Sequence, residues 1–264
     1  MFQEKNKQVF AKKKFGQNFL INQTLIKKIV ALIEPANKHL IEIGPGRGAL
    51  TKMLAPQAQR LTAFEIDPDM KNYLLAQNIL NEEQIVLQDF LQTDLNSYKG
   101  YEVVGNIPYY ITSDILFKLF DYRYCFKKAY LMVQNEVADR LVAKPNTNAY
   151  SKLTLTAQHI AKVTKCFKVP SSAFNPMPKV DSAIIMLEFY QDETDNYDQL
   201  KEFFKLCFLA RRKKLSWALQ TKYTSAAIKN TYNILNLNDL TRIQELNLET
   251  VLKLYELLNE RTND

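Results

Sequence analysis

The stretch Gly105-Asn106-Ile107-Pro108-Tyr109-Tyr110 combines groups that could hold a nucleobase. An asparagine side-chain carbonyl and the backbone carbonyl that precedes a proline can both accept hydrogen bonds from an amino group, and a tyrosine ring covers a flat heterocycle. These groups therefore suit the exocyclic amine of a nucleobase. The alternative is an ordinary turn between a strand and a helix, in which Asn and Pro are common and Tyr packs locally.

The residues around this stretch place it at the end of a buried strand. Tyr101, Val103 and Val104 precede it, and the apolar pattern over residues 115–120, behind Thr112-Ser113-Asp114, is typical of a capped helix. In open α/β sheets, ligands bind at the carboxyl ends of the strands. The stretch is thus predicted to lie at a ligand-binding edge.

Three earlier strand ends carry residues that suit a nucleotide-like cofactor. The strand over residues 39–43 runs into Gly44-Pro45-Gly46-Arg47-Gly48-Ala49, and a glycine-rich turn lets the backbone approach a ligand closely. Glu65 follows the second strand, about 20 residues on, where an acid accepts hydrogen bonds from ribose hydroxyls. Asp89 beside Phe90 ends the third strand and could bind and stack an adenine ring. The spacing fits either a dinucleotide or S-adenosylmethionine.

The chain lacks the groups that most rival chemistries need. His39 and His159 are its two histidines, and neither has metal-ligand spacing or a nucleophile motif. Cys125, Cys166 and Cys207 are too far apart for a disulfide framework or a CxxC metal site. A hydride-transfer enzyme would need a proton donor near its nicotinamide. Methylation of an amine needs neither that donor nor a metal, so no metal site is predicted.

Methyl transfer to adenine gives four residues of the opening stretch a role and leaves Tyr110 unassigned. The adenine amino nitrogen is a poor nucleophile because its lone pair is delocalised into the ring. Asn106 and the Ile107 carbonyl could accept hydrogen bonds from that amine, and Pro108 restricts Ile107 to extended geometry. Tyr109 could stack on the base. The sequence therefore predicts a site that orients an amine toward an electrophilic methyl group.

The composition bounds the class of protein. The chain has 264 residues, of which 47% are hydrophobic and 24% charged, as in ordinary globular proteins. Its net charge of +7 suggests a polyanionic partner. No run approaches membrane-spanning length, and the polar N-terminus has no signal-peptide core. We expect a cytoplasmic protein without a membrane partner.

Alternating strands and helices predict an α/β fold with a doubly wound parallel sheet that ends in antiparallel strands. We expect residues 1–14 to form a basic flexible tail and residues 15–190 to form the catalytic domain. A polar break follows, and residues 198–264 are predicted to form a small all-helical domain. Its later helices are predicted at residues 225–235, 239–246 and 248–258.

Two basic clusters suit phosphate contacts. The N-terminal tail is rich in lysine, and the first helix after the polar break ends in four consecutive cations beside Trp217. Because both clusters have the same sign, they indicate a phosphate-binding surface more than a merely solvated helix end. The predicted RNA-binding residues are Lys12, Lys13, Lys14, Arg211, Arg212, Lys213 and Lys214.

Five motifs, in order along the chain, resemble those of the rRNA adenine N6,N6-dimethyltransferases. The resemblance runs nearly end to end. The motifs are Phe15-Gly16-Gln17-Asn18-Phe19-Leu20, Glu42-Ile43-Gly44-Pro45-Gly46, Gln88-Asp89, Gly105-Asn106-Ile107-Pro108-Tyr109 and Phe174-x-Pro176-x-Pro178-Lys179-Val180-Asp181-Ser182.

Two branches of that family compete. KsgA-type enzymes act on the small ribosomal subunit, and Erm-type enzymes confer macrolide resistance through the large one. Erm-type chains usually carry Thr where Pro45 stands and Asn where Asp181 stands, whereas Leu141-Val142-Ala143-x-Pro145-Asn146 and Arg211-Arg212-Lys213 are similar to the KsgA-type pattern. The resemblance favours the KsgA-type branch.

This resemblance implies a Rossmann-like class I fold that uses S-adenosylmethionine. It implies cofactor contacts from Asn18, Leu20, Gly44, Glu65, Asp89 and Asn106, with Gly46 in the same glycine turn. It further implies that Asn106, Tyr109 and Phe174 surround the target adenine, with Phe174 stacked opposite Tyr109.

The implied substrate is a pair of adjacent adenosines near the 3′ end of 16S rRNA, each dimethylated within a pre-30S particle by a monomeric enzyme. A non-catalytic RNA-binding or assembly factor on the same fold is the rival hypothesis. The complete set of cofactor and base-holding residues argues against it.

Overall fold

The computed structural model describes Lys12, residues 15–191 and residues 196–260. Lys13, Lys14, the rest of the predicted tail and residues 192–195 of the predicted polar break lie outside these described residues.

The elements in chain order are β1 (Phe19–Leu20), α1 (Gln23–Ile33), β2 (His39–Ile43), α2 (Thr51–Leu54), β3 (Arg60–Glu65), α3 (Pro68–Ala76), β4 (Ile85–Leu87), β5 (Tyr101–Asn106), α4 (Thr112–Asp121), β6 (Phe126–Gln134), α5 (Asn135–Leu141), α6 (Lys152–Ile160), β7 (Ala161–Val169), β8 (Phe174–Asn175), β9 (Ser182–Phe189), α7 (Tyr197–Cys207), α8 (Leu215–Leu219), α9 (Ser225–Ile234) and α10 (Leu248–Asn259).

The chain divides into two compact units. The first comprises residues 1–138 and 164–191, and the second comprises residues 139–163 and 192–264. The change of unit near residue 192 falls at the predicted polar break. The second unit also takes in residues 139–163, which the sequence analysis assigned to the catalytic domain, because the chain leaves the first unit within α5 and returns within β7.

The first unit is built on a seven-stranded sheet of order β4-β3-β2-β5-β6-β9-β7. The pairs β4–β3, β3–β2, β2–β5 and β5–β6 are parallel, and β6–β9 is antiparallel. The predicted α/β fold and its antiparallel finish are therefore confirmed. The order reverses between β2 and β5, where open α/β sheets bind their ligands.

Strand register brings the predicted site residues into one row. Ile43 of β2 is aligned with Phe64 of β3 and with Gly105 of β5. Gly44, Glu65 and Asn106 are the residues that follow these three in the chain, so they lie side by side at the carboxyl edge. The strands are buried on both faces, as expected for parallel strands, which places the row above an apolar core.

A two-stranded antiparallel pair joins two motifs that are far apart in sequence. Phe19 of β1 is aligned with Asn175 of β8, and Leu20 is aligned with Phe174. The Ile21 N–H also donates to the Ala173 carbonyl at 2.9 Å. The segment 15–20 is thereby held against residues 173–175 of the same unit.

The second unit is helical around a separate apolar core. Its buried side chains include Phe203, Phe204, Leu219 and Leu254. The buried Tyr150 hydroxyl donates to the Leu246 carbonyl at 2.7 Å, which ties the loop before α10 to the start of α6. The predicted helices 225–235 and 248–258 are confirmed within a residue at each end.

The predicted helix over residues 239–246 was wrong. Only a single 3-10 turn forms there, at Ile243–Glu245. The Asn238 side chain accepts a hydrogen bond from the Leu240 N–H at 2.8 Å, and the Thr241 carbonyl accepts one from Leu215 N–H at 2.8 Å. The second contact occupies the Thr241 carbonyl, which a helix over these residues would pair with the Glu245 N–H, and that N–H donates to the Arg242 carbonyl instead.

Candidate active site

A cavity of about 290 Å³ opens at the carboxyl ends of β2, β3 and β5. Its walls bring together every residue that the sequence analysis assigned to the cofactor, and also four further residues of the predicted base-holding stretch. These lining residues are Asn18, Leu20, Gly44, Gly46, Glu65, Asp89, Asn106, Ile107, Pro108, Tyr109 and Tyr110.

The glycine turn after β2 forms the floor of this cavity. Gly44 and Gly46 have φ angles of +65° and +54°, a left-handed conformation that glycine adopts without strain. A Cβ atom built on Gly44 would meet no atom within 4 Å, because the space above it is the cavity itself. The turn thus presents bare backbone to a ligand, as a nucleotide-like cofactor requires.

Glu65 is fixed by backbone donors on both carboxylate oxygens. Gly46 N–H donates to Oε2 at 3.2 Å, and Asp67 N–H donates to Oε1 at 2.9 Å. Burial raises the pKa of the Glu65 carboxyl, while these hydrogen bonds oppose the rise. Since each oxygen keeps a further lone pair, Glu65 can still accept hydrogen bonds from ribose hydroxyls.

Glu42 is a buried acid in the cavity wall that the sequence analysis quoted only as part of a motif. It is 3% exposed, and its Oε2 atom has no hydrogen-bond partner. Burial, reinforced by the nearby Glu65 charge, raises the pKa of Glu42 to about 7. Glu42 could have been singled out from the sequence, because it stands two residues before the glycine turn on a strand that is buried on both faces.

Asp89 caps the short turn that follows β4. Its Oδ1 atom accepts a hydrogen bond from Leu91 N–H at 2.9 Å, and its carbonyl accepts one from the Thr93 hydroxyl at 3.1 Å. The neighbouring Phe90 ring is buried and packs edge-on against Phe64, with centroids 5.6 Å apart. This packing holds the Asp89 side of the cavity wall in place.

The base-holding stretch is anchored by its backbone and by Asn106. The Asn106 Nδ2 atom donates to the Asn18 carbonyl at 2.9 Å, and the Ile107 N–H donates to the Met132 carbonyl at 3.1 Å. Pro108 has φ −57° and ψ 130° and starts a single 3-10 turn over Tyr109–Ile111. The Asn106 amide therefore uses its donor group on the protein and keeps its Oδ1 atom as an acceptor.

Tyr109 is held by a residue of the fifth motif. Its hydroxyl lies 2.6 Å from the Ser182 Oγ atom, and Ser182 is fully buried at the start of β9. Burial raises the pKa of the Tyr109 phenol, so the ring stays neutral at physiological pH. The sequence analysis predicted Tyr109 but gave Ser182 no role.

Phe174 does not line the cavity. It is 3% exposed and packs in the apolar core of the first unit, where β8 pairs with β1. The stacking of Phe174 opposite Tyr109 across a bound adenine stays a prediction.

Lys12 forms ion pairs with two carboxylates. Its Nζ atom lies 2.6 Å from Asp67 Oδ1 and 2.6 Å from Asp69 Oδ2. Gln17 accepts a hydrogen bond from the Lys12 N–H at 2.8 Å and donates one to Asp67 Oδ2 at 3.1 Å. We call these four residues the Lys12 clasp. It fastens the chain just before residues 15–20, which line the cavity.

The basic cluster of the second unit divides into two kinds of residue. Arg211 Nη2 donates to the Thr147 carbonyl at 3.0 Å, so this guanidinium braces a loop of its own unit. Arg212, Lys213 and Lys214 are exposed. Three of the four predicted RNA contacts here thus reach the surface.

Neither a metal-binding cluster nor a membrane-spanning helix is present among residues 12, 15–191 and 196–260. No group of three or more His, Cys, Asp or Glu side chains there could hold a metal ion. No helix in that part of the chain is long and apolar enough to cross a membrane.

Comparisons with known proteins agree with this geometry. The sequence model of the family described as "Ribosomal RNA adenine dimethylase" matches residues 9–260. The chain is 44% identical over 254 residues to "Ribosomal RNA small subunit methyltransferase A" of Mycoplasmopsis synoviae, covering 94% of this chain and 97% of that protein. It is also 44% identical over 257 residues to the protein of the same name from Metamycoplasma arthritidis, covering 97% and 100%.

Two solved structures share the architecture. A dimethyladenosine transferase from Plasmodium falciparum superposes with a TM-score of 0.77 at 28% identity, covering 92% of this chain and 98% of that one. The 23S rRNA methyltransferase ErmE superposes with a TM-score of 0.70 at 27% identity, covering 92% and 100%.

Proposed function

The chain belongs to the ribosomal RNA adenine dimethylase family, and we propose that it dimethylates N6 of two adjacent adenosines near the 3′ end of 16S rRNA. It is an S-adenosylmethionine-dependent methyltransferase of rRNA. The names of the two bacterial relatives favour the small ribosomal subunit over the large one. The proposed enzyme is a monomer that binds a pre-30S particle as its substrate. Because such particles assemble in the cytoplasm, the proposed location is cytoplasmic.

The observation that carries this proposal is the orientation of the Asn106 amide. Because Nδ2 donates to the Asn18 carbonyl, Oδ1 is the group left to accept a hydrogen bond from the adenine amine. Ile107 supplies the second acceptor through its carbonyl, and the preceding peptide is held by the Ile107 N–H bond to the Met132 carbonyl. Two acceptors on one amine favour a more tetrahedral nitrogen whose lone pair is available.

The residues present fit the cofactor that the family implies. Gly44 and Gly46 would hold it against bare backbone, Glu65 would accept its ribose hydroxyls, and Asp89 would face its adenine. Asn18 and Leu20 would close the cavity over it from the N-terminal segment. When bound, S-adenosylmethionine supplies an electrophilic methyl group.

Tyr109 would stack on the extruded adenine. Stacking of this kind contributes roughly 1–3 kcal/mol per base, which offsets an unstacking cost of a few kcal/mol. Phe174 supports the same region from behind through the β1–β8 pair, and contact with the base would require its ring to become exposed when RNA binds. Placement of the amine in line with the methyl group is the larger effect, worth about 7–11 kcal/mol.

One transfer assay tests the proposal. The protein is incubated with labelled S-adenosylmethionine and undermethylated 30S or 50S subunits, and the modified nucleoside is identified and mapped. Dimethyladenosine at two adjacent positions of 16S rRNA is expected. Dimethyladenosine in 23S rRNA alone would place the protein in the Erm-type branch, and no transfer to either subunit would favour the assembly-factor hypothesis.

A further inference from the structure

The basic charge of the chain is concentrated in one segment of the second unit. Residues 203–238 contain seven lysines and arginines and no aspartate or glutamate. The net charge of this segment therefore equals the +7 of the whole chain. We call residues 203–238 the acid-free segment. Its charge suits the phosphates of a nucleic acid.

Exposed cations and an exposed aromatic ring lie next to one another within this segment. Arg212, Lys213 and Lys214 are exposed, and the Lys213 Nζ atom lies 4.1 Å from the centroid of the Trp217 ring. Trp217 is the only tryptophan of the chain and is 45% exposed.

The position of Trp217 on α8 is not explained by packing of the core. Its neighbours Leu215, Ala218 and Leu219 are buried and fill the core of the second unit. The largest side chain of this short helix stays at the surface instead, although burying it would be favourable. Aromatic rings set among cations are the surface on which unpaired bases stack.

We propose that Trp217 is a base-stacking site for an unpaired nucleotide of the rRNA, with Arg212, Lys213 and Lys214 on the adjoining phosphates. This inference rests on the proposed function, since it gives the RNA substrate a second point of recognition outside the catalytic cavity. Arg211 has no part in the site, because its guanidinium braces the loop at Thr147.

The intrinsic fluorescence of Trp217 reports on this site directly, because the chain has no other tryptophan. The unmodified full-length protein is titrated with oligoadenylate of about twelve nucleotides and with an abasic oligomer of the same length. The base-bearing oligomer is expected to quench the emission, and the abasic one is not. Equal quenching by both would overturn the proposal, because phosphate contacts alone would then explain the response.

Variants test the same site by affinity for the labelled oligomers. Trp217→Ala is expected to bind oligoadenylate about tenfold more weakly and the abasic oligomer as before, and Trp217→Phe is expected to stay close to wild type. Tyr190→Ala removes a tyrosine of the first unit that is 50% exposed and serves as the matched control. Unchanged oligoadenylate binding by Trp217→Ala would overturn the proposal.

Methyl transfer to undermethylated 30S subunits, measured on the same wild-type protein, separates this inference from the proposed function. Transfer without base-dependent quenching means that the enzyme is as proposed and Trp217 is not a stacking site. Quenching without transfer retains the stacking site and rejects the catalytic proposal. Thermal unfolding of both Trp217 variants shows whether a loss of affinity reflects a loss of fold.

Discussion

The Asn106 side chain donates a hydrogen bond of 2.9 Å to the backbone carbonyl of Asn18, a residue 88 positions earlier in the chain. This bond connects the N-terminal motif to the base-holding stretch. It also decides which end of the amide faces the cavity. The acceptor role proposed for Asn106 therefore depends on the N-terminal segment being in place.

Asn106→Ala should lower the rate of methyl transfer about 100- to 1,000-fold, the usual cost of losing one preorganised hydrogen-bonding group. Single-turnover transfer with labelled cofactor measures this loss, and filter binding of rRNA should show affinity close to wild type. Normal turnover by the variant would reject the amine-holding role. A parallel loss of RNA binding would show that the residue acts on the fold.

Tyr109→Phe and Ser182→Ala each remove one side of the same 2.6 Å hydrogen bond. Each should lower kcat/KM about two- to tenfold, since a net hydrogen bond is worth about 0.5–1.5 kcal/mol. The double variant should be no worse than either single one, because both delete one interaction. Tyr109→Ala should lose more, because stacking disappears with the ring. Additive losses in the double variant would contradict the shared bond.

The row of strand ends was predictable from sequence because parallel strands in a sheet place their carboxyl ends together. Gly44, Glu65, Asp89 and Asn106 each follow an apolar run, and that pattern predicts that they share one edge of the sheet. Side-chain contacts across loops leave no such periodic pattern. Nothing in the local sequence distinguishes Ser182 as the partner of Tyr109, 73 positions away.

Local sequence patterns also do not show contacts between residues that are far apart in the chain. Lys12 is indistinguishable in sequence from the lysines beside it, yet it meets Asp67, 55 positions away. Phe174 stands in a motif that resembles a base-binding one, yet the β1–β8 pair packs its ring in the core. Residues 239–246 carry a helical spacing, but the Thr241 carbonyl accepts its hydrogen bond from the distant Leu215 N–H.

Gly44→Ala should abolish detectable cofactor binding, because the added methyl group enters the cavity at the floor of the site. It should also destabilise the fold by about 1–2 kcal/mol, since an L-residue is strained at a left-handed φ. Isothermal titration with S-adenosylmethionine and denaturant unfolding measure the two effects.

Gly100→Ala is the matched control for this change. Gly100 has a φ of +83° and lies outside the cavity, and a Cβ atom there would meet only the Lys127 Cε atom, at 4.0 Å. It should show the same loss of stability and unchanged cofactor affinity. If Gly44→Ala binds the cofactor as well as Gly100→Ala does, the glycine turn is not the cofactor floor.

Lys12→Met should weaken S-adenosylmethionine binding about two- to fivefold, because it opens the Lys12 clasp that fastens residues 15–20. Burial opposes ionisation of Asp67, but hydrogen bonds from Lys12 and Gln17 hold the pKa of that carboxyl below its usual range. Lys27→Met, an exposed lysine on α1, is the control. Weaker rRNA binding with unchanged cofactor affinity would instead support the RNA contact predicted for Lys12.

Glu42→Gln should remove a pH dependence from the stability of the protein. The pKa of Glu42 is raised from 4.5 to about 7 in the folded state, so the folded chain binds more protons than the unfolded chain between these values. The contribution of Glu42 is therefore fully present below pH 4.5 and is lost as the pH rises toward 7. At about 1.4 kcal/mol per pH unit, the loss is about 3 kcal/mol.

Urea unfolding of wild type and Glu42→Gln at pH values from 4.5 to 7.5 measures this effect as the difference between the two stability curves. Glu83→Gln makes the same exchange at an exposed position and should run parallel to wild type. If the Glu42→Gln curve also runs parallel, Glu42 is not protonated on folding. We expect the free energy of unfolding of Glu42→Gln to exceed that of wild type by an amount that grows with pH. This result would show that Glu42 is a neutral carboxyl in weak acid and a carboxylate that destabilises the fold above neutrality.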